Sequence, residues 1–145
     1  MGAAVSPDGT KVYVTNGGSN TVSVINTTTN TVTATVPVEN EPWGVAVTQN
    51  GTKVYVANYG STTVSVINTT TNIVTATVNI GTRPFGVAVT PDGTKVYVAN
   101  DGSNTVSKIN TTSNTVYATV TVGINPQGIA VTPDGSNVYV TNEND

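Results

Sequence analysis

Short runs in which apolar and polar residues alternate fill most of this chain. Lys53-Val54-Tyr55-Val56-Ala57 and Thr63-Val64-Ser65-Val66-Ile67 are clear cases, with Gly44-Val45-Ala46-Val47-Thr48 before them. Val74-Thr75-Ala76-Thr77-Val78 follows, after the polar turn Asn68-Thr69-Thr70-Thr71-Asn72. A period of two sends successive side chains to opposite faces of an extended backbone, so each run predicts a half-buried β-strand. The breaks between runs are turn sequences: Gln49-Asn50-Gly51 after the first, a Gly/Ser loop after the second. Where that first turn reads Pro-Asp-Gly, Pro presets φ, Asp bonds the nearby backbone and Gly accepts a positive φ. The pattern predicts an antiparallel meander of four short strands.

The meander recurs. Pro7-Asp8-Gly9 returns as Gln49-Asn50-Gly51, Pro91-Asp92-Gly93 and Pro133-Asp134-Gly135, each 42 residues after the last. Residues 44–85 and 86–127 are identical at 29 of 42 positions. A period of about 40–45 residues fits propeller blades or helical arrays. The chain has no Leu and no 3.6-residue periodicity, which removes the helical option. The expected fold is all-β: one partial β-propeller of four-stranded antiparallel blades. Its units are 2–43, 44–85 and 86–127, followed by a half unit at 128–145, about three and a half blades in all.

Tyr13-Val14-Thr15-Asn16 and Tyr139-Val140-Thr141-Asn142 spell YVTN, and Tyr55-Val56-Ala57-Asn58 and Tyr97-Val98-Ala99-Asn100 vary it. Pro84-Phe85-Gly86-Val87-Ala88-Val89-Thr90-Pro91-Asp92-Gly93 precedes one copy, and Asn104-Thr105-Val106-Ser107 follows it. With these flanks the unit resembles the YVTN β-propeller repeat along essentially the whole chain. The resemblance implies a surface-layer-like or other extracytoplasmic protein, typically with seven-bladed domains. It carries over no catalytic residues.

Composition narrows the chemistry. Thr, Val and Asn contribute 29, 27 and 18 residues, and β-branched side chains favour strands. There is no Cys and no His. Thiol and imidazole nucleophiles, disulfides and the usual zinc, haem and iron–sulfur ligands are therefore missing. No cofactor and no metal site is expected. Asp8, Asp92 and Asp134 recur only within turns, where backbone bonding explains them. Lys11, Lys53 and Lys95 start second strands, where exposed ion pairs of little worth are expected. The reading is therefore non-enzymatic. With Lys+Arg 5 against Asp+Glu 8, the net charge of −3 argues against nucleic acid as a partner. No apolar run approaches the roughly 18 residues of a membrane span. Met1-Gly2 leads straight into strand-like sequence, which reads as the engineered start of an excised fragment or, equally, as the replacement of a removed signal peptide.

Three and a half blades leave Val-rich faces and strand edges open, and closed propellers have about four to eight blades. The expected partner is a second copy, because two-fold closure is the commonest assembly. Both half units carry the same first two strands, so they cannot simply complete one regular blade. Each stays two-stranded, or strands are exchanged, or the arcs join head-to-tail. Lys108 stands where the earlier units have Val24 and Val66. A buried Lys is costly there, so this blade is expected to lack a full neighbour or to let the side chain snorkel.

The second and third units differ at 13 positions, and seven lie at loops and unit connections expected on one end of the blades. Variation on a rigid scaffold is what a binding face shows. The candidates are Glu41, Trp43, Tyr59, Arg83, Phe85, Asp101 and Gln127, aromatics and charges suited to glycans or cell-surface proteins. Trp43 and Phe85 could equally plug the ring centre. At the opposite end, Asn26, Asn50, Asn68 and Asn110 sit in glycosylation sequons, a sequence that good turn residues also generate. The reading that results is a structural or interaction module, extracellular or at a cell surface. Its alternatives are a glycan- or protein-binding module using the variable face, and a repeat array made for studying propeller assembly.

Overall fold

The computed structural model describes residues 1–144. It contains 14 strands. β1 (Ala3–Val5), β2 (Lys11–Asn16), β3 (Thr21–Asn26) and β4 (Thr31–Pro37) form the first antiparallel sheet in sequence order. β5 (Pro42–Val47), β6 (Lys53–Asn58), β7 (Thr63–Asn68) and β8 (Ile73–Asn79) form the second. β9 (Pro84–Val89), β10 (Lys95–Asn100), β11 (Thr105–Asn110) and β12 (Thr115–Thr121) form the third. β13 (Pro126–Val131) and β14 (Val138–Asn142) make a two-stranded fourth. Each four-stranded sheet is one blade of a β-propeller and the two-stranded sheet is half of one, so the arc holds about three and a half blades.

The repeat is structural down to its irregularities. In each full blade the second and third strands pair without a shift, as in Lys53↔Asn68 through Asn58↔Thr63. The third and fourth strands shift register at the same place: Val24/Ile25, Val66/Ile67 and Lys108/Ile109. Such bulges increase the local twist. A second irregularity lies between Pro42 and Val45, leaving Trp43 and Gly44 opposite Ala57 alone. The first strand thus begins two residues before the alternating run, and its bulge re-aims Trp43.

Blades are joined by interlocking apolar faces. Tyr13, Val22, Val24 and Val36 of the first blade pack with Val54, Val56 and Ile67 of the second. Tyr55, Val64, Val66 and Val78 meet Val96, Val98 and Ile109 in the same way. The period of two makes this possible, because Val54 and Val56 face one neighbour while Tyr55 and Ala57 face the other. Fully burying each Val stabilises by roughly 1.5–3 kcal/mol, an upper range set by the unfolded reference. Near the arc's inner side the backbones themselves approach: a methyl group at Gly44 would overlap the carbonyl oxygen of Phe85. At Gly86 it would overlap that of Gln127. Only glycine permits this approach.

Buried polar groups follow the same repeat. Asn58 Nδ2 donates to Thr63 Oγ1 and Ser65 Oγ, both at 3.0 Å, and Asn16 and Asn100 bond their own Thr and Ser alike. Among the described residues Lys11 and Lys53 do not form the exposed ion pairs expected. Lys11 Nζ donates to Thr69 O at 2.9 Å, and Lys53 Nζ to Thr111 O at 2.5 Å. The next blade's 3–4 turn brings a backbone carbonyl, not a carboxylate, within reach.

The third blade meets only two strands. Val36 and Val78 are 2% and 6% exposed, whereas Val120, at the same place in the third blade, is 56% exposed. Lys108 sits on this open face, half-buried, with Nζ 5.5 Å from the Tyr97 ring centre and 5.0 Å from that of Tyr117. Cation–π contact and the flexible stem account for a Lys where Val24 and Val66 are fully buried.

Candidate functional site

The two ends of the blades have different chemistry. At the turn end, Asp8 Oδ1 accepts hydrogen bonds from Ser6 Oγ, Thr10 N and Thr10 Oγ1. Asp92 and Asp134 are bonded likewise, and these bonds hold all three carboxyls down to about 2. Asn50 Oδ1 does the same work in the second blade. The other sequon residues cap the 3–4 turns: Asn26, Asn68 and Asn110 Oδ1 each accept from the two backbone amides that follow by two and three residues. Their Nδ2 groups are not used in these turns. A polar cleft of about 400 Å³ opens here between the first two blades, lined by Asp8, Lys11, Asn50 and Thr70 among others.

The opposite end gathers the variable residues. Each connection between units is tied to the following 2–3 loop by a backbone bond. Tyr59 N donates to Glu41 O, Asp101 N to Arg83 O and Glu143 N to Asn125 O, at 2.9–3.0 Å. These ties force a left-handed backbone at Glu41 (φ 48°), Arg83 (φ 52°) and Asn125 (φ 53°), each followed by Pro. Asn tolerates that conformation; Glu and Arg adopt it at a cost. Asn20 Oδ1 holds the first of them by accepting from Glu41 N at 2.9 Å. Backbone strain of this kind concentrates at functional sites.

Between these ties three rings converge. Trp43 lies 5.1 Å from Phe85 and 5.8 Å from Tyr59, centre to centre, and Tyr59 meets Phe85 edge-on at 5.9 Å. The Arg83 guanidinium stands 5.4 Å over the Tyr59 ring. Its Nη1 is 3.7 Å from Asp101 Oδ1, where the Asp side chain is 6% exposed and the Arg side chain 58%. A cleft of about 300 Å³ beside the rings is lined by Met1, Gly17, Gly18, Glu41, Trp43 and Tyr59.

Six of the seven residues singled out from the sequence thus share one continuous surface. Gln127 lies one blade further along and donates from Nε2 to Glu143 Oε2 at 2.6 Å. Asn125 links the two parts: its Nδ2 stands 3.4 Å from Asp101 Oδ2. Glu143 and Asn125 were not among the candidates. Glu143 occupies the place of Tyr59 and Asp101 in the half unit, so the repeat alignment carries the signal that finds it. Among the described residues no group of three or more metal-ligating side chains gathers. No helix there is long and apolar enough to cross a membrane.

A sequence model of YNCE-like beta-propellers matches residues 46–145. The chain belongs to the YNCE-like β-propeller family. Solved structures superpose on this YNCE-like propeller closely. A hydrazine synthase chain from Kuenenia stuttgartiensis aligns with a TM-score of 0.94 and 28% identity, over 99% of this chain and 42% of its own length. A functionally unknown protein from Desulfotomaculum acetoxidans DSM 771 aligns with a TM-score of 0.85 and 26% identity, over 97% of this chain and 49% of its own. The propeller therefore spans less than half of either. The PE-PGRS family protein PE_PGRS18 of Mycobacterium tuberculosis is 59% identical over 44 residues, 30% of this chain and 9% of that protein.

Proposed function

We propose that this YNCE-like propeller is a non-enzymatic structural and interaction module of the YVTN, surface-layer-like kind, working outside the cell or at its surface and self-associating to complete a ring. One observation carries the reading: the apolar blade faces at both ends of the arc are open where their internal counterparts are buried. On the last two blades Val120 and Tyr139 lie exposed where Val36, Val78, Tyr13 and Tyr55 are buried. On the first blade Val12, Val14 and Ile25 are half-buried where Val54, Val56 and Ile67 are fully buried. A second copy offers matching blade surfaces. The non-enzymatic part rests on a chain without His or Cys, whose recurring acids are held in turns. The surface location rests on the YVTN resemblance and on sequon asparagines placed at exposed turns.

Light scattering across a concentration series tests self-association. A sharp species near twice 14.8 kDa is expected. A monodisperse monomer at every concentration overturns it, and mass that grows with concentration replaces the closed pair by a head-to-tail polymer.

A second reading, favoured by the Trp43–Tyr59–Phe85–Arg83 surface, makes the variable end a recognition face for glycans or proteins. Trp43 is the chain's single Trp, so its emission reports on that face directly. Trp43→Ala and Arg83→Ala are expected to abolish hits from a glycan or protein screen; hits that survive both changes place recognition elsewhere.

A further inference from the structure

The recognition face has an arrangement more specific than a patch. Trp43, Phe85 and Gln127 hold the same place in successive blades, each directly before the first-strand glycine (Gly44, Gly86, Gly128). They form an inner row. Tyr59, Asp101 and Glu143 hold the same place in the 2–3 loops and form an outer row, joined to the connections that carry Glu41, Arg83 and Asn125. Two parallel rows crossing several blades suit an extended ligand.

We propose that these rows bind a linear oligosaccharide of 1,4-linked pyranose rings; the proposal deepens the recognition-face reading and does not depend on self-association. Three features converge on that chemistry. The rings of Trp43 and Phe85 are 5.1 Å apart, close to the advance of one sugar ring along such a chain, and Trp43 is 37% exposed. Apolar sugar faces stack on aromatic rings while the hydroxyl edges remain free to bond.

Asp101 supplies the second feature. Its carboxylate is nearly buried, yet its nitrogen partners stand at 3.7 Å (Arg83 Nη1) and 3.4 Å (Asn125 Nδ2), with Asn125 also 3.4 Å from Asp101 O. These are at or beyond the outer limit of hydrogen bonding. A buried carboxylate calls for short donors, and a sugar hydroxyl provides one. Arg83 and Asp101 together present a donor and an acceptor side by side, as adjacent hydroxyls require.

The third feature is the far end of the rows. There the rings give way to the Gln127–Glu143 amide–carboxylate pair, which offers further polar contacts in line with the first. The rings of Trp43, Tyr59 and Phe85 already touch one another, so no cage for an ammonium ion exists between them. The ligand lies across them.

Cellotetraose, chitotetraose and glucose are titrated into the purified chain while Trp43 emission is followed. At least one tetraose is expected to give a saturable change, and glucose none up to about 10 mM, since one ring cannot span the rows. Asp101→Asn and Arg83→Gln are each expected to weaken binding at least about tenfold. Arg83→Gln alters a mostly exposed side chain, so it keeps the test valid if Asp101→Asn proves poorly folded by circular dichroism. Silence from both tetraoses, or glucose binding as tightly as they do, overturns the proposal. Silence from sugars with a Trp43 response to a polypeptide also overturns it, and leaves the recognition face standing as a protein site.

Discussion

Tyr55 donates its hydroxyl hydrogen bond to Asn114 Oδ1 at 2.9 Å, across the junction between the second and third blades. Tyr13 and Asn72 occupy the same two places one blade earlier, and there both Tyr13 Oη and Asn72 Oδ1 are buried without a partner among the described residues. Lys53 Nζ also donates to Asn114 Oδ1, at 3.3 Å, so two junctions built from the same repeat differ by two bonds. Tyr55→Phe is expected to cost about 1 kcal/mol, the usual net worth of a hydrogen bond, while Tyr13→Phe is neutral or slightly stabilising. Urea titration of the two variants measures the difference.

Burial pushes the Tyr55 hydroxyl from 10.0 up to about 12. The folded chain therefore holds this proton more tightly than the unfolded one. The stability this provides is complete below pH 10 and declines as pH rises from there through about 12. Tyr55→Phe is expected to flatten that part of the alkaline limb in pH-dependent melts.

The turn aspartates act at the other extreme. Hydrogen bonds to the ionised form bring Asp8, Asp92 and Asp134 from 3.8 down to about 2. Their stabilisation is present above the ordinary value and lost as pH falls towards the lowered one. Converting all three to Asn copies the Asn50 turn of the second blade. The triple variant is expected to lose pH dependence between about 4 and 2 in acid titration of its fold.

Gly44→Ala and Gly86→Ala force a methyl group onto backbone carbonyls that cannot move aside independently. Each is expected to destabilise by about 1–3 kcal/mol or more in denaturant. Gly18, with open space around its α-carbon, is the control, and Gly18→Ala is expected to leave the midpoint within about 0.5 kcal/mol.

Glu41 holds a left-handed backbone that suits Asn better, as Asn125 shows at the equivalent place. Glu41→Asn is expected to stabilise the fold by about 1 kcal/mol, read as a raised unfolding midpoint. An unchanged or lowered midpoint would mean that the surrounding ties impose no strain.

Much of this architecture was legible beforehand, for identifiable reasons. A strict period of two predicts strands, and Asn-Gly and Asp-Gly turns at fixed intervals predict the meander and its repetition. The grouping of Trp43, Tyr59, Arg83, Phe85 and Asp101 followed from asking where otherwise identical units differ. What stayed hidden depends on distances between blades. The carbonyls that receive Lys11 and Lys53 come from the neighbouring blade, and a lysine in a strand does not reveal them. The bulge that re-aims Trp43, and the left-handed backbone of Glu41 and Arg83, arise from ties between loops far apart in sequence. The contrast between Tyr13 and Tyr55 is one of placement across a blade junction, to which a repeat alignment is blind.

The bare α-carbons at Gly44 and Gly86 let one blade's backbone rest directly on the next. The wedge angle at the hub is then set by main-chain contact, which recurs at Gly44 and Gly86 although Phe85 meets one and Gln127 the other. A gene that duplicates such a unit inherits its curvature along with its sequence. Whether an array closes on itself becomes a matter of how many copies it holds, and the loops remain free to diversify without disturbing the circle.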